Sequence, residues 1–568
     1  MPLHHYQILC VGSLLIGTAC TETEKPAPDR PKSVESQSAA TPWFEDQAQQ
    51  RGLVFQHQSG HQGRYLLPEI MGGGAALADF DNDGDLDAYL VQGGELLNNQ
   101  RPPNQLFINR GDGYFDELPD AGGAGDTGYG MGAATGDYDN DGDIDLYVTN
   151  VGSNVLYRND GDNQFMDVSQ IAGVDDASWG ASAAFLDLDG DGDLDLFLTN
   201  YVNWSIAIEQ DCFSTATGYS MADYCWPTAY NAPARDRLFR NNGDGSFTDV
   251  SDQAGLGLAF GNGLGVTGLD ANNDGLTDVF VANDMTRNQL WINQGNLQFK
   301  DEAMLLGCAV DEHGVPKSGM GVAAADLDND GDTDILVMNL ATQTDSYFRN
   351  TGSYFEDATV AVGLATVTRR YTRFGVALVD FDNDGILDLY EANGAIGFSR
   401  ETANGRVYAE PDMLLEGTPD GKFQKVALQG GTAEALVHTS RGLAIGDVND
   451  DGGLDLLVIN RDGPANLLMN HVTNRGNWIS FRLLTKTGRD ALGATLSADV
   501  GSQRVNRQVQ ATGSYLAAND PRVFLGLADH STARDVIVSW TDGTTESFGD
   551  FGGGKATVLI QGKGISIP

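Results

Sequence analysis

The clearest chemistry in this chain lies in a run of nine residues, Asp79-Phe80-Asp81-Asn82-Asp83-Gly84-Asp85-Leu86-Asp87, which places carboxylates at every odd position of a short loop. Versions recur at Asp137, Asp139, Asp141, Asp143 and Asp145, at Asp187, Asp189, Asp191, Asp193 and Asp195, and at Asp270, Asn272, Asp274, Leu276 and Asp278. Three more stand at Asp326, Asp328, Asp330, Asp332 and Asp334, at Asp380, Asp382, Asp384, Ile386 and Asp388, and at Asp447, Asn449, Asp451, Gly453 and Asp455. Side-chain oxygens at positions 1, 3, 5 and 9, with glycine at 6 for a sharp bend, suit a hard cation taking about six to eight oxygens, which implies Ca²⁺. Position 7 is expected to give only its main-chain carbonyl, since Asp, Leu, Ile and Gly all occur there.

A single acidic, glycine-containing run reads as a solvated turn; seven copies in one register do not. Two carboxylates ~5 Å apart repel by roughly 3 kcal/mol at an effective dielectric of ~20, so each loop needs a counter-cation to hold together. An EF-hand would require a bidentate Glu at position 12. That position holds Leu90, Val148, Leu198, Val281, Val337, Glu391 and Val458, so the loops are of another kind, binding up to seven Ca²⁺. The fourth and seventh loops carry fewer carboxylates and are expected to bind most weakly.

Across 568 residues, 34 basic side chains stand against 80 acidic ones, a formal charge of −46. Seven divalent ions would leave about −32, which disfavours nucleic acid and anionic bilayers as partners. The first 20 residues read as an export signal, with an apolar run from Ile8 to Ile16 followed by Gly17-Thr18-Ala19-Cys20. Cys20 is the candidate lipidation site of a bacterial outer-membrane or cell-surface lipoprotein; cleavage after Ala19, giving a secreted or periplasmic protein, is the alternative. Residues 21–42 have the composition of a disordered tether. In an exported chain Cys212 and Cys225 are expected to pair, leaving Cys308 as a buried small hydrophobe.

The elements that must position the loops are strands. Small residues precede each loop, as in Gly321-Val322-Ala323-Ala324-Ala325, and a bulkier apolar run follows, as in Leu196-Phe197-Leu198-Thr199. A third strand ends in Asn, as in Val155-Leu156-Tyr157-Arg158-Asn159, and a fourth starts at Phe with Gly eight residues on, as in Phe165 to Gly173. Four strands recurring seven times are the signature of a seven-bladed β-propeller over residues 43–471. The fourth-strand pattern occurs six times after the first loop and once before it, at Phe44 to Gly52, so the N-terminal strand is predicted to complete the last blade. Between Tyr201 and Ala234 lies an insertion carrying Trp204, Phe213, Tyr219, Tyr224, Trp226 and Tyr230, either a recognition surface or a small aromatic core of its own. Residues 472–568 lack the loop and read as a small β-sandwich, with turns at Gly513-Ser514 and Thr541-Asp542-Gly543-Thr544.

These phrases resemble those of proteins that combine FG-GAP (VCBS-type) repeats with a C-terminal ASPIC/UnbV domain, bacterial relatives of cartilage acidic protein. The resemblance rests on Ala78 to Asp87, on Leu238 to Val250, and, near the end, on Gly513-Ser514-Tyr515-Leu516, Phe524-Leu525-Gly526-Leu527 and Val538-Ser539-Trp540-Thr541-Asp542-Gly543. It implies an all-β architecture similar to the head of integrin α chains, and a calcium-stabilised extracellular module binding protein or polysaccharide through propeller-face loops. The competing expectation is a calcium-dependent polysaccharide-active enzyme. Neither a Ser/His/Asp order nor a zinc-type histidine spacing supports it, and His57 and His61, near Arg64 and Tyr65, are the least bland of the histidines.

Overall fold

A computed structural model describes residues 41–98, 101–215, 220–397 and 407–567. The expected export signal, Cys20 and the tether up to residue 40 lie outside the described residues, as does Tyr219. Among the described residues no helix is long and apolar enough to cross a membrane.

Seven sheets, each with four antiparallel strands, follow one another along the chain, the first extended by a short parallel strand from the C-terminal part. In the second, Gly130–Gly136, Asp145–Asn150, Val155–Asn159 and Phe165–Asp167 pair in sequence order, and the acidic loop is the hairpin between the first two strands. The innermost strands, Ala75–Ala78, Gly130–Gly136, Gly180–Leu186, Gly263–Leu269, Val322–Ala325, Arg373–Val379 and Ser440–Gly446, each touch those of both neighbours, the last against the first. The sheets are therefore blades of a propeller about a common axis. Small residues are required there because neighbouring backbones nearly meet: a Cβ on Gly265 or Gly321 would overlap the carbonyl oxygen of Met320 or Phe374 in the next blade. Bulk lies farther out, between blades, where Leu77, Leu86 and Phe107 of the first pack with Leu457, Ile459 and Leu467 of the last. Fully burying such a side chain is worth roughly 1.5–3 kcal/mol.

The first strand, Phe44–Asp46, pairs antiparallel with Asn466–Asn470, in register Phe44 to Asn470 and Asp46 to Leu468, and supplies the outer strand of the seventh blade. Phe44 is buried against Phe381 and Tyr390 of the blade before it. The ring is thus closed by hydrogen bonds between segments more than 400 residues apart in the chain, which leaves no unpaired edge at the seam.

After Asn470 the chain forms a three-stranded sheet (Val523–Ala528, Asn477–Leu484, Ala556–Ile560) and a five-stranded one (Gln503–Gln508, Thr495–Val500, Thr532–Ser539, Thr545–Gly552, Ile565–Ile567). Phe481, Leu525 and Leu559 of the first share one core with Leu496, Val536 and Trp540 of the second. The stretch around Gly513-Ser514, which the sequence suggests is a turn within the sandwich, instead leaves it and enters the propeller axis. Ala517–Ala518 pairs parallel with Ala75 and Ala76. Leu516 O accepts from the amides of Ala75 (3.3 Å) and Ala133 (3.4 Å), and Leu516 N donates to Ser182 Oγ (3.3 Å). Gln510 donates to Gly268 O (3.2 Å), Ser514 exchanges backbone bonds with Val322, and Ser514 Oγ accepts from Val376 N (3.0 Å). Asp520 N donates to Ile445 O (3.0 Å). Residues 510–520 therefore bond to the innermost strand of every blade, and from Thr41 onward the chain is one compact unit.

Candidate metal centre and binding face

Each acidic hairpin is wound by its own main chain. Asp137 Oδ1 accepts from Asp141 N (3.1 Å) and Oδ2 from Gly142 N (3.0 Å), and Asp141 Oδ1 accepts from Asp143 N (3.0 Å). Two residues per loop adopt the left-handed conformation: the glycine at position 6, as at Gly142 (φ 100°), and the residue at position 4, as at Asn140 (φ 59°). Asparagine tolerates that region best after glycine, and position 4 is Asn in five loops, Gly190 in the third and Asp450 in the seventh.

Position 9 is buried in every loop and doubly bonded to backbone. Asp87 Oδ2 accepts from Phe80 N (3.0 Å) and Oδ1 from Asn109 N (2.8 Å). Burial, with the repulsion of Asp81 added to it, pushes the Asp87 carboxyl up to about 8, and burial takes Asp195 up to about 8 as well. Three carboxylates bring an oxygen within 4.8 Å of one another in five loops: Asp79, Asp81 and Asp83; Asp137, Asp139 and Asp145; Asp187, Asp189 and Asp191; Asp326, Asp328 and Asp330; Asp380, Asp382 and Asp388. Buried oxygens without a hydrogen-bond partner among the described residues, Asp79 Oδ1, Asp139 Oδ1 and Asp326 Oδ1, sit within these groups. An orphaned carboxylate oxygen in an all-oxygen cage fits a hard divalent cation.

The fourth and seventh loops compensate internally. Asn272 Nδ2 donates to Asp274 Oδ2 (3.0 Å) and Asn449 Nδ2 to Asp451 Oδ2 (3.3 Å), while Arg475 donates to Asp451 Oδ1 (2.9 Å). A Cβ on Gly453 would displace the Arg475 guanidinium from the place where it reaches Asp451. The remaining odd positions, among them Asp270, Asp278, Asp332, Asp334, Asp384, Asp447 and Asp455, lie in the same hairpins; Leu276 and Ile386 bring no side-chain donor.

Two sets of asparagines tie loop to loop, and their roles are not evident from a single repeat. The Asn ending the third strand donates to the position-8 carbonyl of its own loop and to the position-2 carbonyl of the preceding blade, as Asn159 does to Ile144 O (3.2 Å) and Phe80 O (2.8 Å). Gly417 takes that place in the sixth blade. Asn at position 4 reaches the position-7 carboxylate of the following loop, as Asn140 does to Asp193 Oδ1 (2.8 Å) and Asn273 to Asp332 Oδ1 (2.5 Å). At Asp143, Asp193 and Asp332, position 7 thus uses its side chain as a link between blades.

The C-terminal sandwich lies over this face. Arg482 reaches Asp79 Oδ2 (3.3 Å), Thr541 donates to Asp187 Oδ2 (3.0 Å), and Asn506 donates to Asp326 Oδ2 (3.4 Å), all position-1 residues. Arg489 binds Gly192 O (2.8 Å) and Asn140 Oδ1 (3.1 Å), and Arg522 binds Asp447 O (2.9 Å) and Asp450 Oδ1 (2.7 Å).

Because strands alternate in direction, connections between second and third strands emerge at the opposite end of the axis. There the insertion places the hairpin Cys212–Ser214 and Met221–Asp223, with Cys212 and Cys225 joined by a disulfide. Tyr224 and Tyr230 are buried, whereas Phe213 is 63% and Trp226 44% exposed, so the segment has both a core and an outward aromatic surface. The hairpin helps line a cavity of about 780 Å³ that is also bounded by Leu67, Met71, Tyr201, Arg370, Thr372 and Glu410. Beside it, Glu69 Oε2 stands 2.6 Å from His61 Nδ1, and Arg461 donates to Tyr224 OH (2.6 Å). His57 is buried, and desolvation lowers it to about 4; Cys308 is buried and its thiol is pushed up by burial.

Comparison with known proteins matches residues 79–148, 137–198, 221–281 and 270–337 to the FG-GAP-like repeat and residues 484–566 to ASPIC and UnbV. Cartilage acidic protein 1 of Homo sapiens is 28% identical over 313 residues, covering 52% of this chain and 43% of that protein. The Mus musculus protein is 29% identical over 306 residues, covering 52% and 44%. The alignment spans less than half the length of these relatives. Among solved structures, the WD40 β-propeller domain of Doa1 aligns with 70% of this chain and 93% of its own, at 10% identity and a TM-score of 0.35.

Proposed function

This chain is an FG-GAP-repeat protein that carries an ASPIC and UnbV domain and is homologous to cartilage acidic protein 1, and on that premise we propose that it is a calcium-stabilised extracellular binding protein. Its recognition face is the end of the propeller remote from the acidic loops. The observation that carries this reading is the division of labour between the two ends. One is roofed by the chain's own C-terminal sandwich, while the other holds a cross-linked, aromatic-bearing insertion over a cavity. Loops on a rigid scaffold are the usual place for binding groups.

Calcium would be held by the odd-numbered side chains of the loops, with those of blades one, two, three, five and six offering converged carboxylates. The ion would supply the positive charge that lets these carboxylates sit together, and the chain's own contribution is to preset their geometry by main-chain hydrogen bonds. Affinity of the order of 10⁻⁴ to 10⁻³ M would suffice outside the cell.

The test is a solid-phase screen of purified protein against matrix proteins and glycans, with Ca²⁺ or with chelator, together with calcium counting by equilibrium dialysis. Saturable, calcium-supported capture that is lost when residues 205–230 are replaced by a short linker is expected. Capture that survives the replacement would move recognition elsewhere, and release of reducing ends from an acidic polysaccharide would turn the reading toward an enzyme using His61.

A further inference from the structure

The cavity under the disulfide hairpin carries a more specific reading, which rests on the binding role proposed above. Its volume, about 780 Å³, falls in the range of ~300–1,000 Å³ typical of small-ligand sites. The floor is apolar and belongs to the same axial core that contains Tyr515. Polar groups enter from three blades. Glu410 is 9% exposed, with Oε2 taking the amide of Thr372 (2.8 Å). Asp223 Oδ1 accepts from Tyr224 N and Tyr408 OH, both at 2.9 Å. Arg370 also lines the cavity. Thr342, also on the wall, holds a φ of 76°, a conformation costly for a β-branched residue, and is fixed there by reciprocal bonds with Arg369 (Thr342 N to Arg369 O 2.7 Å, Arg369 Nε to Thr342 O 3.1 Å). Strain of that kind persists where the surroundings over-determine it, which is common at ligand sites.

We infer that this cavity takes the end of a neutral glycan chain, with Trp226 as the stacking platform at its mouth and Glu410, Asp223 and Arg370 as the hydroxyl-binding groups. A sugar ring presents C–H faces to an aromatic plane and hydroxyls at its edge, and the lining combines the ring of Trp226, the planar polar groups of Glu410, Asp223 and Arg370, and the apolar side chains of Leu67, Ile70 and Met71. A polyuronate is disfavoured by two carboxylates in the wall and a formal charge of −46 on the whole chain. A basic peptide is disfavoured by Arg370, and a single lysine side chain would leave most of the volume empty.

Titration of calcium-loaded, full-length protein, followed by tryptophan fluorescence and calorimetry, would use a neutral β-glucan hexasaccharide, an N-acetylglucosamine hexasaccharide, a mannohexaose, an oligogalacturonate and an oligolysine peptide. At least one neutral hexasaccharide should bind, and Trp226→Ala and Glu410→Gln should each weaken it tenfold or more. The melting temperature of both variants should match the parent, since Trp226 is half-exposed and the Glu410 change is isosteric. Binding of oligolysine or oligogalacturonate alone, of no probe, or of a sugar indifferent to both substitutions would overturn the assignment. Calcium-supported capture of a matrix protein alongside any of those results would leave the binding role standing and remove only the glycan.

Discussion

At one end of the propeller axis, acidic hairpins are overlaid by a second layer of the same chain, whose Arg482, Arg489 and Arg522 sit among them. At the other, the insertion leans over an open cavity with Phe213 and Trp226 facing out. At the first end, buried oxygens such as Asp79 Oδ1 and Asp326 Oδ1 have no hydrogen-bond partner among the described residues, and in the proposed reading a cation would take them. The second leaves the rings of Phe213 and Trp226 largely open to solvent. Charge is thus handled at one end by neutralisation and at the other by exposure to whatever comes from outside.

The contrast can be broken most forcefully by removing metal. Chelation should lower the melting temperature by about 10 °C or more, and added Ca²⁺ should restore it, because ligands that bind only the folded state stabilise it by mass action. An unchanged melting temperature would mean the acidic end needs no ion and differs from the other only in being covered. A second measurement uses pH. Asp87 and Asp195 titrate near 8 in the folded, metal-free protein, against ~3.9 for an unfolded aspartate. The folded state therefore binds more protons between these values, so the chelated protein should lose stability as pH rises from 5 to 8. With Ca²⁺ present the slope should flatten, because the ion displaces the same protons; identical slopes would count against the ion.

A smaller effect ranks the loops. In calcium buffer, Asp191→Ala should lower the melting temperature by roughly 2–4 °C and Asp451→Ala by less, since Asp451 is already held by Asn449 and Arg475. The reverse order would show that converged carboxylates do not mark the stronger sites. The least change is expected from Cys212→Ser with Cys225→Ser, which should leave global melting within about 1–2 °C while making residues 205–230 readily cut by protease. A large loss of melting temperature there would show the insertion to be part of the core and not a surface added to it.

Much of the fold can be read from spacing. The hairpins follow from a nonapeptide whose register repeats, and the closing strand follows from Phe44 and Gly52 matching a motif that otherwise comes fourth in each blade. The pairing of Cys212 with Cys225 follows from their seclusion in one insertion. What escapes such a reading is contact without period. Gly513-Ser514 has turn chemistry, and both residues do take positive φ, but nothing local reveals that the turn lies on the axis with Val322 and Val376 as partners. The loop-to-loop role of Asn140 is hidden for the same reason, since its partner Asp193 lies in the next repeat. The cavity is assembled from segments far apart in the chain, among them residues 67–71, 212–227, 340–342 and 370–372 together with Glu410, and only their meeting at one end of the propeller gives Glu410, Asp223 and Trp226 a common purpose.

The hub segment, residues 510–520, has one more implication, and it concerns synthesis. The nascent chain exposes Phe44 early, yet the strand that pairs with it ends at Asn470, and the peptide that fills the hub comes later still. At about 5–20 residues per second, a ribosome takes roughly 20 seconds to a minute and a half to cover that interval. Through all of it the blades lack both their seam and their axle, so the completed wheel can form only after the polypeptide is almost entirely made. A translocon that accepts extended chains would find this one still threadable.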